Sequence, residues 1–279
     1  MHVGPQSSDL QLARYICAHQ RAYCRSVAQS PLFELREDEE IVWISSGAPS
    51  FLNGILETRT TTERLGTLIE EAIAYFSARS VKGFVWRVEG DDRPADLREH
   101  LLSRGFREIT VGPLMALDLD SAELAEDTEL LDVRLVNDRR DAEAWADIVT
   151  SSYGLPATGR GFHTSWIDSL RGRTSIRSFV GSMHGRPVSS AQTFLHEGAV
   201  GLYWVATIPE ARRAGHATRI TRAALFDAHR AGARMAVLHA NDVAIPIYEK
   251  LGFRDCGSVK RYVFSLPTSS ERGEAASPR

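Results

Sequence analysis

The sequence predicts a mixed α/β protein built from two similar units. Apolar residues switch repeatedly between a helical period and a strand period, the pattern of interleaved helices and short strands. The halves also share a cadence of long amphipathic helix, strand, short helix closing on Gly-Phe, and strand. "HLLSRGFREI" (100–109) echoes "IYEKLGFRDC" (247–256), which points to an internal duplication. A length of 279 residues accommodates two such units.

In the first half, residues 9–29 set Leu12, Tyr15, Ile16, His19, Ala22 and Tyr23 at helical spacing, and Pro31 ends the segment. The run 34–40 ("ELREDEE") reads as a solvated strand edge or turn. Residues 39–47 have a β-branched and aromatic centre and stop at Gly47, as a strand does, with 53–59 as a candidate hairpin partner. Thr62 is a candidate cap for a helix over 63–79, whose buried face is Leu65, Leu68, Ile69, Ala72, Ile73 and Phe76. A strand over 82–89 follows. Pro94 opens a short helix closing at 101–106, with Gly105 just past its end, and 111–119 reads as a last strand. The acidic stretch 120–130 holds few large apolar groups and reads as a linker or a short helix.

The second half opens with a strand over 130–136 and a helix over 140–154 that turns Ala144, Trp145, Ile148 and Val149 inward. A second helix spans 162–170. Residues 176–207 read as three strands with turns at "HGRP" (184–187) and "HEGA" (196–199), where glycine supplies the required backbone angles. A helix over about 214–230 buries Ala217, Ile220, Ala224, Leu225 and Ala228, and Gly232 ends it. A buried strand (234–240), a short helix bearing Tyr248 and a final strand (257–266) complete the unit. The polar tail 267–279 is expected to be disordered. The expected division is therefore 1–122, 130–266 and the tail.

Composition narrows the function. The chain is 43% hydrophobic and 25% charged, ordinary values for a globular protein. It has no apolar stretch of membrane-spanning length and no leader pattern at "MHVGPQSSDL", so no membrane role and a cytoplasmic location are expected. Three scattered cysteines make neither a disulfide framework nor a zinc site, and no metal is expected. There is no lysine-rich run and no aromatic–basic platform, so no nucleic-acid partner is expected. Residues 1–129 carry 13 basic against 22 acidic side chains, and residues 130–279 carry 20 against 14. The basic half either favours an anionic ligand by its field or reflects drift of surface charge.

The chemistry concentrates at "VATIPEARRAGHATRI" (205–220), where a strand passes into a helix. Amides at such a junction lack helical partners and point the same way, and the helix dipole adds about half a positive charge. An anion fits that concavity. Side chains larger than those of Gly215 and Ala217 would block a pyrophosphate. Arg212 sets the start of the loop, and Arg213 adds a charge.

"YWVATIPEARRAGHATRI" (203–220), then "LHAN" (238–241), then "IPIYEKLGF" (245–253), together resemble the GNAT superfamily of acyl-CoA-dependent N-acetyltransferases. That family carries an R/Q-x-x-G-x-G/A loop after its fourth strand and a tyrosine before a Leu-Gly-Phe close. The resemblance covers 130–266, with 1–122 as a degenerate second copy that has no glycine at the tight point of its crossing, "LETRTTTERLG". It implies a tandem GNAT-like fold with acetyl-CoA as cosubstrate and an amine as acceptor. By the same resemblance, the amides of Arg213, Ala214, Gly215, His216, Ala217 and Thr218 would hold the CoA pyrophosphate. Val205, Ala206 and Thr207 would pair with the pantetheine arm, and Asn241 would reach it. The loop departs from the family's common glycines at Arg213 and Ala214. His216 points either to solvent or to phosphate.

Acetyl transfer needs a neutral amine, although amines ionise near pH 10, so a base or a water chain must take a proton. The developing oxyanion needs a donor, which the resemblance assigns to a backbone N–H near Val205 or Ala206. It assigns Tyr248 the role of acid to the departing thiolate. Each of these residues has a plainer reading as well: Tyr248, Tyr203 and His239 are equally core side chains that have found a hydrogen bond. Tyr203 and His239 are nevertheless candidate bases, whereas Glu197 falls on a hairpin tip. Tyr153 and His163 lie in "SSYGLPATGRGFHTSW" (151–166), the segment that lines the acceptor cleft in the family. A small-molecule amine is the expected acceptor. A protein N-acetyltransferase, a non-catalytic acyl-CoA sensor and a scaffold with dead sites are the alternatives. The chain is expected to be a monomer or homodimer.

Overall fold

The computed structural model describes residues 3–46, 48, 50, 52–79, 81–90, 92–124 and 131–266. In chain order the elements are α1 (Asp9–Val27), β1 (Glu34–Glu37), β2 (Ile41–Ser45), β3 (Gly54–Thr58), α2 (Thr62–Ser77), β4 (Gly83–Arg87), α3 (Leu97–Ser103), β5 (Arg107–Val111) and β6 (Leu114–Asp118). They continue as β7 (Asp132–Leu135), α4 (Arg139–Ser152), α5 (Arg160–Ser169), β8 (Ile176–Met183), β9 (Arg186–His196), β10 (Ala199–Thr207), α6 (His216–Arg230), β11 (Met235–His239), α7 (Ile245–Lys250), β12 (Arg254–Asp255) and β13 (Val259–Ser265). The described residues divide into two compact units, a larger one within 3–23 and 112–258 and a smaller one within 24–111 and 259–266. Among the described residues no helix is long and apolar enough to cross a membrane.

The larger unit holds a seven-stranded sheet in the order β12-β6-β11-β10-β9-β8-β7. Strands β7 to β10 form an antiparallel meander. Its two tight turns put His184 and Gly185 (φ 50° and 77°) and Glu197 and Gly198 (φ 49° and 77°) in the left-handed region. Two-residue hairpins that match strand twist require that geometry, which is why glycine stands at both. β11 joins β10 in parallel, through α6. On α4, Asp138 accepts the Asp141 N–H at 2.8 Å, capping the helix, and Trp145 is fully buried beside Trp166 of α5, ring centroids 5.9 Å apart.

The smaller unit holds a six-stranded sheet in the order β1-β2-β3-β4-β13-β5. Helix α2 covers it with Leu65, Leu68, Ile69, Ala72 and Phe76, all fully buried. Each Leu, Ile or Phe among them contributes about 1.5–3 kcal/mol relative to exposure. Gly54 is needed where β3 meets β4, because a Cβ there would lie 1.9 Å from the Val85 carbonyl oxygen.

Four expectations need correction. The single strand over 111–119 is two strands, because Pro113 has no amide to give a ladder. The halves are not contiguous in sequence: β6 runs antiparallel between β11 and β12 in the larger unit, and β13 runs antiparallel between β4 and β5 in the smaller one. Apolar alternation marks a strand but carries no label for its partner. Helix α2 is preceded by Thr61 at the cap position, and no side chain caps it, so Thr62 is its first residue rather than its cap. The edge strands β5 and β12 fall outside the expected strands, since none of their side chains is buried and they lack an apolar core pattern, whereas β1 takes the strand-edge reading of 34–40. Gly47, residues 125–130 of the expected linker and the tail 267–279 lie outside the described residues.

Candidate functional site

The site begins with a defect in β10. Its antiparallel register to β9 slips between Tyr203 and Ala206, and Trp204 there has φ 53°. A bulge of this kind bends the strand and raises its twist. The parallel register to β11 covers Ala199–Gly201 against Met235–Val237. Past it the strands part: the Ala240 amide donates to Pro113, on the β6 side, at 2.9 Å. Beyond the bulge the Ile208 amide donates to Val188 of β9 at 3.0 Å. Two-residue alternation in an antiparallel ladder then turns Ala206 toward β9 and Thr207 away from it, into the fork.

The fork opens as a cleft of about 670 Å³ whose walls include Val205, Ala206 and Thr207. At one end lies the loop entering α6. Arg212 clamps the start of that loop, donating from Nε to the Thr207 carbonyl (3.3 Å) and from Nη2 to the Ser152 carbonyl (3.0 Å). Arg213 (φ 64°) and Gly215 (φ 80°) both lie in the left-handed region, so the loop curls back on itself. Arg219 holds the curl by donating to the Ala214 carbonyl at 2.8 Å. Among the described residues, no protein group accepts a hydrogen bond from the amides of Arg213 to Thr218. The first turn of α6 carries no acidic residue. An alternating backbone at a 15-residue helix start makes a cationic concavity suited to phosphate oxygens.

Arg212, Arg213, Gly215, His216, Ala217, Thr218 and Asn241 all line this cleft, whereas Ala214 does not, its carbonyl being turned to Arg219. His216 is 4% exposed, and burial, then the Arg219 charge, lowers its pKa, so the ring is neutral at pH 7. Asn241 holds the turn that leads into α7, its side-chain oxygen accepting the Ala244 N–H at 3.0 Å.

Tyr248 of α7 is 7% exposed and lines the same cleft. Burial, then the neighbouring Tyr153, pushes its phenol well above the ordinary range, which keeps it protonated. Tyr153, the residue following α4, donates its hydroxyl to the Val205 carbonyl at 3.2 Å.

The other candidates stand elsewhere. Tyr203 stacks on Tyr23 with centroids 3.9 Å apart and bonds the His19 ring at 3.3 Å; neither Tyr203 nor His239 is among the lining residues. His163 is 2% exposed in an aromatic cluster with Trp166 and Trp204, and Glu197 sits on its hairpin turn. Sequence reasoning missed Ala211, Val243, Ala244 and Ile247 as walls of the cleft. Only the Asn241–Ala244 turn spacing, which brings the start of α7 to the fork, could have signalled the last three.

Residues 195–256 match a family model described as an acetyltransferase (GNAT) domain. Compared by sequence with curated proteins, the chain matches none. Its fold is similar to that of a GCN5-related N-acetyltransferase from Kribbella flavida, at 18% identity over 92% of this chain and 98% of that one, with a TM-score of 0.67. It is also similar to a tandem GNAT protein from the clavulanic acid biosynthesis pathway, at 12% identity over 96% of this chain and 98% of that one, TM-score 0.58. A GCN5-related N-acetyltransferase-like protein from Streptococcus suis aligns at 15% identity over 91% of this chain and 97% of that one, TM-score 0.58.

Proposed function

We propose that this chain, whose fold and matched segment fit a member of the GNAT superfamily, transfers the acetyl group of acetyl-CoA to a primary amine. The observation that carries the reading is the pairing of two features on one cleft: amides at 213–218 that have no protein acceptor among the described residues, with no acid in the first helical turn, and a fork in the sheet whose cleft Tyr248 also lines. Amides 213–218 and Arg213 would hold the diphosphate of the cofactor, and the edge of β10 at Val205–Thr207 would run beside its pantetheine arm. The thioester then lies between Val205 and Tyr248.

In the reaction the neutral amine attacks the thioester carbon directly. The Val205 N–H is the candidate donor to the oxyanion, a kind of interaction whose loss costs about 10²–10³ in rate. The C–S bond breaks, and the Tyr248 hydroxyl gives its proton to the thiolate. A phenol whose pKa is raised by burial remains protonated and so is available for this step. A water chain is the simplest route for the amine proton, since the described lining residues include no carboxylate.

That same lack among the described lining residues favours a second reading, a non-catalytic acyl-CoA sensor. Calorimetry with acetyl-CoA followed by thiol release over small amines, polyamines and peptides separates them. Binding with release supports the transferase, and release with peptides alone would make it a protein N-acetyltransferase. Binding without release supports the sensor. An absence of binding at millimolar acetyl-CoA defeats both.

A further inference from the structure

A strand edge that leaves its neighbour must find donors for its carbonyls elsewhere. On β10 beyond the bulge, side chains supply them. Arg212 serves Thr207 and is itself fixed by a second bond to Ser152. Tyr153 serves Val205 at 3.2 Å, and its ring stands edge-on to Trp204 at 5.9 Å. The two donors differ in how firmly they are held. Arg212 is a charged fork with two backbone acceptors. Tyr153 is 38% exposed, follows the end of α4 and leads into Gly154, which has φ 61°. A neutral hydroxyl on a carbonyl contributes little net free energy and exchanges readily for another donor.

We propose that Tyr153 is a latch on the fork: its hydroxyl holds the Val205 carbonyl until an amide N–H of the ligand's extended arm takes that carbonyl over. The inference rests on the reading of the cleft as an acyl-CoA site. The exchange is of hydrogen bonds alone, and no covalent bond changes. Contact with Trp204 keeps the released ring at the edge of the cleft, beside Tyr248. Tyr153 is thus a positioning residue that orders the β10 edge and is displaced by the arm, not by the phosphates.

This makes a prediction with an unusual sign. Removing the hydroxyl should strengthen cofactor binding, because the arm no longer displaces a bonded group. Tyr153→Phe keeps the ring against Trp204. By calorimetry it should bind acetyl-CoA roughly 3- to 10-fold more tightly than the parent, the worth of one neutral hydrogen bond. Adenosine 3′,5′-bisphosphate, which carries phosphates and no arm, should bind both proteins equally. Equal or weaker acetyl-CoA binding by the variant overturns the latch. An equal shift with both probes also overturns it, by locating the change in the phosphate loop. If neither protein binds acetyl-CoA, the reading of the cleft itself fails, and the latch fails with it.

Discussion

The two units carry the same local plan, strand to loop to helix to parallel strand, and end it in opposite ways. In the larger unit β10 and β11 part after Gly201↔Val237. In the smaller unit β3 and β4 pair at Gly54↔Val85 and Ile55↔Trp86, and the chain after β4 then returns to continue the seam. The Arg93 amide donates to Thr58 (3.0 Å), the Thr60 amide donates to Arg93 (3.4 Å), and Arg59 and Arg93 form a parallel bridge. The Asp92 carboxylate completes the closure by accepting from the Thr58 amide at 2.7 Å and the Glu89 amide at 2.5 Å. What is a slot in one unit is filled by backbone in the other.

The helix that follows differs in the same sense. α6 begins without an acidic side chain, so no carboxylate of its own first turn offsets its amides and dipole. α2 carries Glu63 in its first turn, and the helix amide and Thr61 hold that carboxylate below its usual pKa. The smaller unit brings its own anion. Its counterpart of Tyr248, by the shared Gly-Phe close, is Leu101, which is fully buried in the core. The shared plan thus keeps its packing, while in the smaller unit returning backbone stands where the larger has the fork, Glu63 stands at the helix start and buried Leu101 stands at the position of Tyr248.

The largest effect expected from this contrast is at Tyr248. Tyr248→Phe should lower turnover by about 10²-fold or more, the scale of a lost general acid, while acetyl-CoA affinity stays within about twofold. Single-turnover thiol release measured beside calorimetry checks it. Unchanged turnover would make Tyr248 as silent in catalysis as Leu101.

Next is the loop. Gly215 has φ 80°, and a Cβ there would lie 2.7 Å from Arg219 Nη1. Gly215→Val should therefore weaken acetyl-CoA by at least about tenfold, from left-handed strain and a displaced Arg219. Titration of the parent should meanwhile give one acetyl-CoA per chain. A stoichiometry of two would show that the closed seam of the smaller unit opens after all.

Much of this contrast was legible beforehand, for specific reasons. Arg212, Gly215 and Ala217 sit at fixed spacing on a strand-to-helix turn, and backbone geometry there depends on residue type. The missing glycine of "LETRTTTERLG" marked the smaller unit as different. The pairing of β6 and β13 was not legible, since strands on either side of a duplication present similar apolar faces. Nor was the Tyr153–Val205 bond, which joins residues 52 apart through the end of a helix. The bulge at Trp204 left no trace either, because a bulky residue at φ 53° runs against local preference and is imposed by the surrounding sheet.

The smallest expected effect probes the seam itself. Asp92 accepts from two backbone amides that close β3 against the returning chain, and an alanine there leaves both without that partner. Unmade hydrogen bonds of this kind cost about 1–3 kcal/mol. Asp92→Ala should lower the denaturation midpoint of the smaller unit and speed hydrogen exchange at the Thr58 and Glu89 amides. Acetyl-CoA affinity should not change, because none of these groups lines the cleft of the larger unit. A second acetyl-CoA bound by Asp92→Ala would mean that this carboxylate alone keeps the slot shut. Faster exchange without a second ligand places the barrier jointly in the seam and in Glu63 at the start of α2, as the electrostatics of that helix require.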